Sequence, residues 1–310
     1  AFAQTNPIVG DFAGNLEQIK SEALKASEAG IELVIFGELA LCGYPLGDLS
    51  YRRDLVSASE TALNELVRSH REALFGQHAA SAGDSFPLLF KLLDANQKLS
   101  VQVHPSDADA QVRGLGPRGK EECWLVIAAE PGARLGIGFT EDLSAEAMRA
   151  AALDGSIEHL LEWHPVAAGD FFYIPAGTVH AIGAGVSLIE VQQNADITWR
   201  LYDYGRPREL HLGDGIAVAR GTAHDPALRR HVPERGSLNL VDGPHFRLDR
   251  LDGAPDAGVA NAYAGPLLVI PLDASVLVDG EPVAPGECAA APALDAVEWA
   301  GRCLIAQPCA

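Results

Sequence analysis

Short apolar segments separated by glycine, proline and other turn-forming residues follow one another through the second half of the sequence, and this feature limits the fold more than any other. Examples are "FFYIPAG", "VSLIEVQQ" and "GPLLVIP". Closely spaced strands with turn signals between them are typical of barrels and sandwiches. We therefore expect a mainly β protein with helical insertions, in which a smaller C-terminal β unit follows the main one.

Composition narrows the class of partner. The chain has 310 residues, of which 48% are hydrophobic, so it can bury a sizeable core. Its net charge of -19 argues against nucleic acid and against an anionic membrane, and favours a small-molecule partner. No apolar run reaches a membrane-spanning length of about 18 residues, no signal-peptide pattern is visible, and the cysteines form no CxxC pair. A cytoplasmic location with reduced thiols is expected.

The opening stretch, residues 1–56, predicts a strand, a helix and a second strand in a βαβ fragment. In "NLEQIKSEALKASEAG" apolar residues recur at helical spacing, with Asn15 as the expected N-cap and Gly30 as the expected stop. "AQTNPIVGD" and "ELVIFGELALCGYPLGDL" resemble the start of the nitrilase-superfamily glutaminase domain of NAD synthetase. The resemblance implies a general base at Glu38. Because the family's lysine and nucleophilic cysteine have no counterpart further on, we expect this fragment to be catalytically silent.

The stretch "KLSVQVHP" alternates polar and apolar residues. Ser100, Gln102 and His104 share one side of the predicted strand, and Val101 and Val103 share the other. A polar row facing solvent is the ordinary explanation of such a pattern. A row of ligating groups is the alternative.

A second motif, "GDFFYIPAGTVH", favours the ligating alternative. The spacing of Gly169, Pro175, Gly177 and His180 resembles the second metal motif of cupin barrels, although Ala184 replaces the asparagine usual in that family. Two glycines and a proline allow a tight corner between strands that delivers the histidine to the barrel mouth. The resemblance implies a cupin-type β-barrel, or jelly roll.

A catalytic zinc site takes about three or four nitrogen and oxygen ligands. Gln102, His104 and His180 supply three. The segment "GKEECWLVI" offers either Glu121 or Glu122 as a fourth.

Several ordered motifs, among them "FPLLFKLLDANQKLSVQVHPSD", "GKEECWLVIAAEPGA", "DFFYIPAGTVHAIGAGVSLIEVQQNADITWRLYDYGRP" and "RELHL", resemble class I mannose-6-phosphate isomerase over about residues 59–310. The resemblance implies one Zn²⁺ per chain, bound by Gln102, His104, Glu122 and His180. The family's glutamate stands two residues after a lysine, which is Lys120 here. The implied activity is interconversion of mannose 6-phosphate and fructose 6-phosphate through a cis-enediol.

The same resemblance places the catalytic arginine at Arg200. Asp196 and Arg200 occupy alternate positions of a predicted strand, together with the threonine between them, and would face one way. Asp196 is the first candidate for proton transfer and Lys120 the second. By resemblance, Lys91 and Ser100 lie near the substrate, a sugar phosphate that needs a cation close by.

These patterns predict three domains: the fragment 1–56, a metal-binding cupin domain 57–220 with a helical insertion at "LSAEAMRAAALDG" and "SIEHLLEWHPV", and a cupin-like β domain 221–310. The strand-rich N-terminal segment of the isomerase family has no counterpart, and the nitrilase-like fragment stands in its place. A barrel without those strands would have an unpaired edge, and its activity would be impaired. We expect a monomer or a weak homo-oligomer. A natural fusion, a truncated relative and an assembly artefact all remain open.

Two other functions remain as alternatives. One is a non-catalytic cupin-like module that binds metal or sugar, favoured if the pocket is lost while metal binding survives. The other is a remnant carbon–nitrogen hydrolase, which only Glu38 supports.

Overall fold

The computed structural model of the protein describes residues 86–309 throughout, and earlier in the chain residues 2–3, 11–28, 35–36, 61, 64–65, 67–69 and 71. Two compact units are present: Leu88–Glu234, and Ala1–Pro87 with Arg235–Ala310. No helix among the described residues is both long enough and apolar enough to cross a membrane. Glu38 and Gly30, which carry sequence predictions, lie outside the described residues.

The start of the chain has the predicted βαβ order. Strand β1 (Phe2–Ala3) pairs in parallel with β2 (Ile35–Phe36), and helix α1 (Phe12–Glu28) lies between them in sequence. The prediction of Asn15 as N-cap was wrong, because the helix begins three residues earlier. The Oδ1 atom of Asp11 accepts a hydrogen bond from the amide of Gly14 at 3.0 Å, and Asn15 is a buried residue of the first turns.

The Leu88–Glu234 unit is a mainly β body with short helices. Its strands are β3 (Leu88–Ala95), β4 (Val101–Val103), β5 (Glu122–Ala129), β6 (Arg134–Phe139), β7 (Leu161–Pro165), β8 (Asp170–Ile174), β9 (His180–Ile182), β10 (Val186–Gln193), β11 (Trp199–Tyr202) and β12 (Arg229–His231). Its helices are α2 (Asp107–Val112), α3 (Ala145–Asp154), α4 (Ile157–Leu160), α5 (Leu212–Val218) and the 3₁₀ turn η1 (Pro226–Leu228).

These strands form two five-stranded sheets, in the orders β12-β8-β5-β10-β3 and β11-β4-β9-β6-β7. All their pairings are antiparallel. One core cluster takes Trp124, Val126 and Leu188 from the first sheet and Leu135, Ile137 and Ile182 from the second. The two sheets therefore pack face to face in the cupin-type barrel that the sequence predicts. Strand β12 pairs with β8, so Arg229–His231 joins the barrel although it lies beyond residue 220.

A second core cluster covers the other face of the β11-β4-β9-β6-β7 sheet. Val101, Val103 and Leu201 pack there against Met148 of α3 and Ile216 of α5. The Ser144 side chain accepts a hydrogen bond from the amide of Ala147 and caps α3 at its N-terminus. This helix confirms the first half of the predicted insertion.

The second half of that insertion is mostly not helical. After the single turn α4, Leu161–Pro165 continues as strand β7, which pairs with β6. Leu161 is 2% exposed and belongs to the core cluster between this sheet and helices α3 and α5, the helix-covered core. The Trp163 ring packs on Gly136 so closely that a Cβ atom there would lie 3.2 Å from it. Pairing with β6 buries Leu161 and leaves Trp163 half-buried against Gly136, and this tertiary contact outweighs the local helical pattern.

The C-terminal part of the other unit is also β-rich. Its elements are β13 (Leu238–Asp242), β14 (Phe246–Asp252), α6 (Ala257–Ala262), β15 (Leu267–Pro271), β16 (Val276–Val278), β17 (Glu281–Val283), β18 (Ala289–Ala291), the 3₁₀ turn η2 (Leu294–Ala296), β19 (Val297–Glu298) and β20 (Arg302–Pro308). They form sheets of order β13-β14-β20-β15-β18 and β17-β16-β19 around a core that includes Val269, Val278 and Ile305. This is the smaller β unit expected from the sequence.

Candidate metal centre

Both faces of strand β4 are buried, which explains its alternating sequence. Val101 and Val103 are 0% exposed in the helix-covered core. On the other face Gln102 is half-buried, and the flanking residues Ser100 and His104 are 4% and 2% exposed. The polar row therefore does not face solvent. It lines one end of the barrel interior.

The pairing register of three neighbouring strands aligns a row of polar side chains. Gln102 on β4 is paired with His180 on β9, and on its other side with Arg200 on β11. Directly paired residues in antiparallel strands have Cβ atoms about 4.5–5.5 Å apart and point to the same face. Arg200, Gln102 and His180 thus share one patch of the inner wall.

Main-chain carbonyls hold both histidines in place. The Nδ1 atom of His104 donates to the carbonyl of Ile197 at 2.8 Å, and that of His180 donates to the carbonyl of Thr178 at 2.9 Å. A neutral imidazole that donates through Nδ1 has its lone pair on Nε2. The two rings lie 4.9 Å apart between centroids, with both Nε2 atoms next to Glu122. This is the orientation that metal-ligating histidines adopt.

Glu122 lies opposite the histidines at the start of β5. Its Oε2 is 3.5 Å from His104 Nε2 and its Oε1 is 3.3 Å from His180 Nε2. Burial opposes ionisation of Glu122, but the charge of Lys120 and contacts with the histidines outweigh it and hold its pKa well below the usual range. Burial lowers the pKa of His180 to about 3. The centre therefore combines a carboxylate with a neutral imidazole at His180.

His104, Glu122 and His180 form a group that could hold a metal ion, with one donor atom from each within 4.8 Å of the others. Glu122 Oε1 is buried and has no hydrogen-bond partner. A buried, ionised oxygen without a donor is costly unless a cation meets it. Two imidazole nitrogens and a carboxylate are a donor set suited to zinc and similar divalent metals. These residues fit a metal ion.

Gln102 borders the same group. Its Nε2 donates to His180 Nε2 at 3.2 Å, and its Oε1 accepts from the hydroxyl of Ser100 at 3.3 Å. Rotating the terminal amide would exchange the two atoms and turn Oε1 toward the histidine, where an oxygen ligand would be placed. The glutamine and the serine that the sequence singled out are thus in mutual contact.

Lys120 is 4% exposed and sits inside the group. Its Nζ lies 3.0 Å from His104 Nε2, forms an ion pair with Glu122 and is 3.9 Å from Glu190 Oε1. The alternative glutamate, Glu121, points elsewhere and accepts a hydrogen bond from the hydroxyl of Tyr173.

A tight loop places Lys120 and Glu122. A side chain at Gly119 would come within 2.3 Å of the carbonyl oxygen of Pro105, so the two backbone segments can approach only because this residue is glycine. The amide of Lys120 donates to that carbonyl at 3.0 Å. Asp107 accepts from the backbone amide of Gly119 at 2.7 Å and from the side-chain Nε2 of Gln193 at 3.0 Å, which ties the loop to β10.

Glu190 and Gln192 on β10 are buried neighbours of the centre that sequence reasoning missed. Lys91 on β3 donates to Glu190 at 2.9 Å and to Gln192 at 2.6 Å. The indole of Trp124 donates to the other oxygen of Glu190 at 3.2 Å. Glu190 and Gln192 alternate in a strand of apolar residues, as Gln102 and His104 do, and that shared pattern was the available signal. The structure thus puts Lys91 on the inner wall, paired to a carboxylate.

The segment before Arg200 differs from the prediction. Strand β11 begins at Trp199, and Asp196 is an exposed loop residue, so the expected alternation from Asp196 to Arg200 in one strand was wrong. The Nε2 atom of Gln192 donates to the carbonyls of Gln193 and Ala195, which bends the chain before β11. Arg200 is half-buried. Its guanidinium donates to the carbonyl of Glu209 at 2.8 Å, and its Nε is buried without a partner.

Comparison with known proteins finds similar sequences over part of the chain. Residues 49–122 match a family described as phosphomannose isomerase type I, catalytic domain. A mannose-6-phosphate isomerase from Streptococcus mutans is 49% identical over 162 residues, which are 50% of this chain and 49% of that protein. The chain thus spans about half the length of the curated relatives it matches. A glutamine-dependent NAD(+) synthetase from Synechocystis is 44% identical over 67 residues, 22% of this chain and 12% of that protein.

The fold comparison agrees with the sequence comparison. The structure of the mannose 6-phosphate isomerase from Bacillus subtilis superposes with a TM-score of 0.63 at 27% identity, covering 79% of this chain and 81% of that one. The chain therefore has the cupin fold of solved mannose 6-phosphate isomerases, and its sequence is similar to the type I catalytic domain.

Proposed function

We propose that the protein is a zinc-dependent aldose–ketose isomerase that interconverts mannose 6-phosphate and fructose 6-phosphate through a cis-enediol. One observation carries the proposal: the candidate ligands His104, Glu122 and His180 converge, with Gln102 beside them, and the register sets Arg200 next to Gln102. A metal-binding barrel alone has no need of a guanidinium there. Similarity to proteins named mannose-6-phosphate isomerase supplies the substrate.

The reaction moves a proton between C2 and C1 of the open-chain sugar, and negative charge develops on O1 and O2. A bound Zn²⁺ would supply a Lewis acid for those oxygens. In this chain Gln102, His104, Glu122 and His180 would hold the ion. Since burial keeps the pKa of His180 near 3, its imidazole is neutral and ready to ligate at physiological pH.

Arg200 is assigned the stabilisation of the enediolate. A guanidinium keeps its charge at any physiological pH and donates in a planar fork, so it can meet two oxygens without giving up a proton. The buried, unpartnered Nε of Arg200 supports this role, because it is an unused donor on a residue whose backbone is fixed: it pairs with β4, and its amide donates to the Nδ1 atom of His211 at 3.2 Å.

Proton transfer is assigned to Asp196 first and Lys120 second. Within the described residues, the exposed carboxylate of Asp196 has no hydrogen bond or ion pair, so it is free to approach a substrate carbon. Lys120 is close to the candidate ligands, but its ammonium is engaged by Glu122 and His104. A general base must come within hydrogen-bond reach of the proton that it removes.

Lys91 and Ser100 are assigned to substrate binding. Lys91 carries a positive charge on the inner wall, and Ser100 offers a hydroxyl beside Gln102. Glu190 compensates the charge of Lys91 in the free protein. A phosphate that binds to Lys91 would therefore compete with Glu190 for the ammonium.

Metal content and turnover, measured on the same preparation, test the proposal. Protein purified without chelators should contain about one zinc per chain and convert fructose 6-phosphate in a coupled assay. His180→Ala should lose both the metal and the activity. His159→Ala is the matched control, because His159 is an exposed histidine of the same unit, and it should lose neither.

Two results would contradict the proposal in different ways. Protein without stoichiometric metal would remove the metal centre itself. Protein with full zinc and no turnover of either sugar phosphate would favour a non-catalytic cupin-like binding module.

A further inference from the structure

A small polar cavity lies behind the turn that carries His180. It has a volume of about 190 Å³ and is lined by Pro175, Thr178, Arg220, Thr222, His224 and Asp225, with the neighbouring alanine and leucine side chains. Its walls come from the β8–β9 turn and from the segment that follows α5. The proposed function assigns nothing to this cavity.

Backbone contacts hold the two walls together. Thr178 and Arg220 form an isolated parallel β-bridge, and the amide of Arg220 donates to the carbonyl of Gly177 at 2.7 Å. Gly177 has φ +82°, and a side chain there would come within 2.8 Å of the carbonyl of Val218. The backbone position that carries the Arg220 side chain is therefore fixed relative to the β8–β9 turn.

Several polar groups of this cavity lack protein partners, and one of them is buried. Arg220 and Thr222 are exposed and Thr178 is half-buried. Within the described residues, the guanidinium of Arg220 and the hydroxyls of both threonines have no side-chain hydrogen bond or ion pair. His224 is 5% exposed, its Nε2 donates to the carbonyl of Tyr173 at 2.8 Å, and its Nδ1 is buried without a partner. Buried polar atoms are normally satisfied, so the unpartnered Nδ1 of His224 indicates a ligand group that donates to it, next to the solvent-accessible donors of Arg220 and the two threonines.

The charge around the cavity favours an anion. Arg220 contributes a full positive charge. The only carboxylate among the lining residues is Asp225, and one of its oxygens already accepts from the amide of Ala227 at 2.9 Å. The hydroxyls of Thr178 and Thr222 can each donate one further hydrogen bond. A guanidinium with two hydroxyls is a donor set that suits a tetrahedral oxyanion.

We propose that this cavity binds a small phosphate-type oxyanion, as free phosphate or as the phosphoryl group of a small ester. Its volume is below the roughly 300–1,000 Å³ of pockets that enclose drug-sized ligands, which excludes a large ligand held entirely inside. The neutral ring of His224, with Nδ1 as an acceptor, is compatible with the hydroxyl of monohydrogen phosphate.

Occupancy would connect the cavity to the candidate metal centre. Thr178 contributes its hydroxyl to the cavity and its carbonyl to the Nδ1 atom of His180. An anion bound between Thr178 and Arg220 would tie the two backbone segments together on the outer side of that carbonyl. The anion site itself requires no metal and does not depend on the isomerase proposal.

Calorimetric titration of inorganic phosphate into the purified protein, at constant ionic strength in buffer free of phosphate and sulfate, tests the proposal. We expect one site per chain that requires Arg220. Arg220→Met should weaken its affinity by at least about tenfold, and Thr178→Val by about two- to tenfold. Arg134→Met is the matched control, because Arg134 is an exposed arginine without a side-chain partner in another cleft of the unit, and it should bind as the parent does.

A parallel titration with glycerol 1-phosphate distinguishes the source of the anion. Tighter Arg220-dependent binding of the ester would identify a phosphoryl group as the ligand, and tighter binding of inorganic phosphate would identify the free ion. Absence of binding for both would overturn the proposal. Phosphate binding that survives in Arg220→Met and is lost in Lys91→Met would also overturn it, because the ion would then lie inside the barrel. Thr178→Val is a nearly isosteric change that keeps the assay interpretable if Arg220→Met does not fold.

Discussion

Under the proposed function, Arg200 is the residue that distinguishes an isomerase from a barrel that only binds metal. Its neighbours in the row, Gln102 and His180, are candidate metal ligands, whereas a guanidinium does not ligate a metal ion. Arg200 donates to the carbonyl of Glu209 through one nitrogen and leaves its Nε free. It is thus positioned by the backbone and keeps donor capacity for a substrate.

Replacing Arg200 by alanine should leave zinc content unchanged and lower kcat by about 10²–10³-fold. In the proposed reaction the enediolate charge is absent from the bound substrate and develops toward the transition state, so loss of Arg200 should affect kcat far more than KM. Arg200→Lys should restore little, because a flexible ammonium does not reproduce a planar fork. Steady-state kinetics with mannose 6-phosphate and metal analysis of each variant check this. An alanine variant that kept most of the parent kcat would shift the mechanism onto Asp196.

The sequence identified individual site residues where the residue type is uncommon and stands at a fixed spacing from other motif residues. His180 could be placed because Gly177 and Pro175 precede it at fixed distances, and His104 because it continues an alternation. Glu190 escaped notice because a polar residue in an isolated strand is usually solvent-exposed. Only the pairing of β10 with β3 and β5 turns it toward the interior.

Among the structural elements, the loop before β5 controls how the candidate centre is assembled. It brings Lys120 and Glu122 to His104 by packing Gly119 directly on the backbone of residues 105–107. Helix α2 begins at those same residues. In its capping box, the side chains of Ser106 and Asp109 each accept a hydrogen bond from the other residue's backbone amide. Loop and helix therefore position each other.

Gly119→Ala should destabilise the protein by about 1–3 kcal/mol and weaken metal binding, since the new Cβ must displace the carbonyl of Pro105. Gly213→Ala in α5 is the control, because nothing lies within 4 Å of a Cβ there, and it should be neutral or slightly stabilising. Urea denaturation and a zinc competition titration measure the two effects. Equal stability of the two variants would show that the loop does not need this close approach.

Element prediction succeeded where local signals and tertiary contacts agreed. Helix α3 has Ser144 at its cap and buries Met148, as its pattern indicates. Strand β7 was missed because the residues from Ile157 to Leu161 follow a helical period. Their sequence contains no information about β6, the strand against which Leu161 becomes buried and Trp163 half-buried.

For the molecule as a whole, two buried histidines should make stability depend on pH. Burial lowers the pKa of His164 and of His224 below the ordinary value, and Arg229 lowers both further. His164 also faces Glu162, and His224 faces Asp225 and the carbonyl of Tyr173. The unfolded chain therefore takes up protons near pH 6.5 that the folded state does not.

The contribution of these two histidines to the free energy of unfolding should thus be complete above about pH 6.5. It should decrease as pH falls toward their folded-state pKa values. Each such group contributes a slope of up to about 1.4 kcal/mol per pH unit. His224→Gln, which can still donate to the carbonyl of Tyr173, should reduce the slope between pH 7 and pH 5, whereas His159→Gln at an exposed site should not. Urea titrations at both pH values measure it. An unchanged slope in His224→Gln would mean that His224 is protonated in the folded state.

The fold class could be predicted from the sequence. Turn-separated strands indicate a barrel or sandwich, and the resemblance of the two motifs to cupin metal motifs indicates a cupin barrel. The residue limits of each unit were harder to predict. Arg229–His231 joins the barrel through β8, a contact that no local pattern of three residues can indicate. The role of Glu38 stays a prediction, because it lies outside the described residues.

The backbone carbonyls that hold His104 and His180 have a consequence for sequence variation. Each histidine is oriented by the main chain of Ile197 or Thr178, and no amino-acid substitution removes a main-chain carbonyl. Many metal-ligating histidines depend instead on a carboxylate side chain that a single mutation can delete. The orientation of this pair is therefore protected against point mutation at the supporting positions, whose side chains are free to diverge as long as the loop keeps its path.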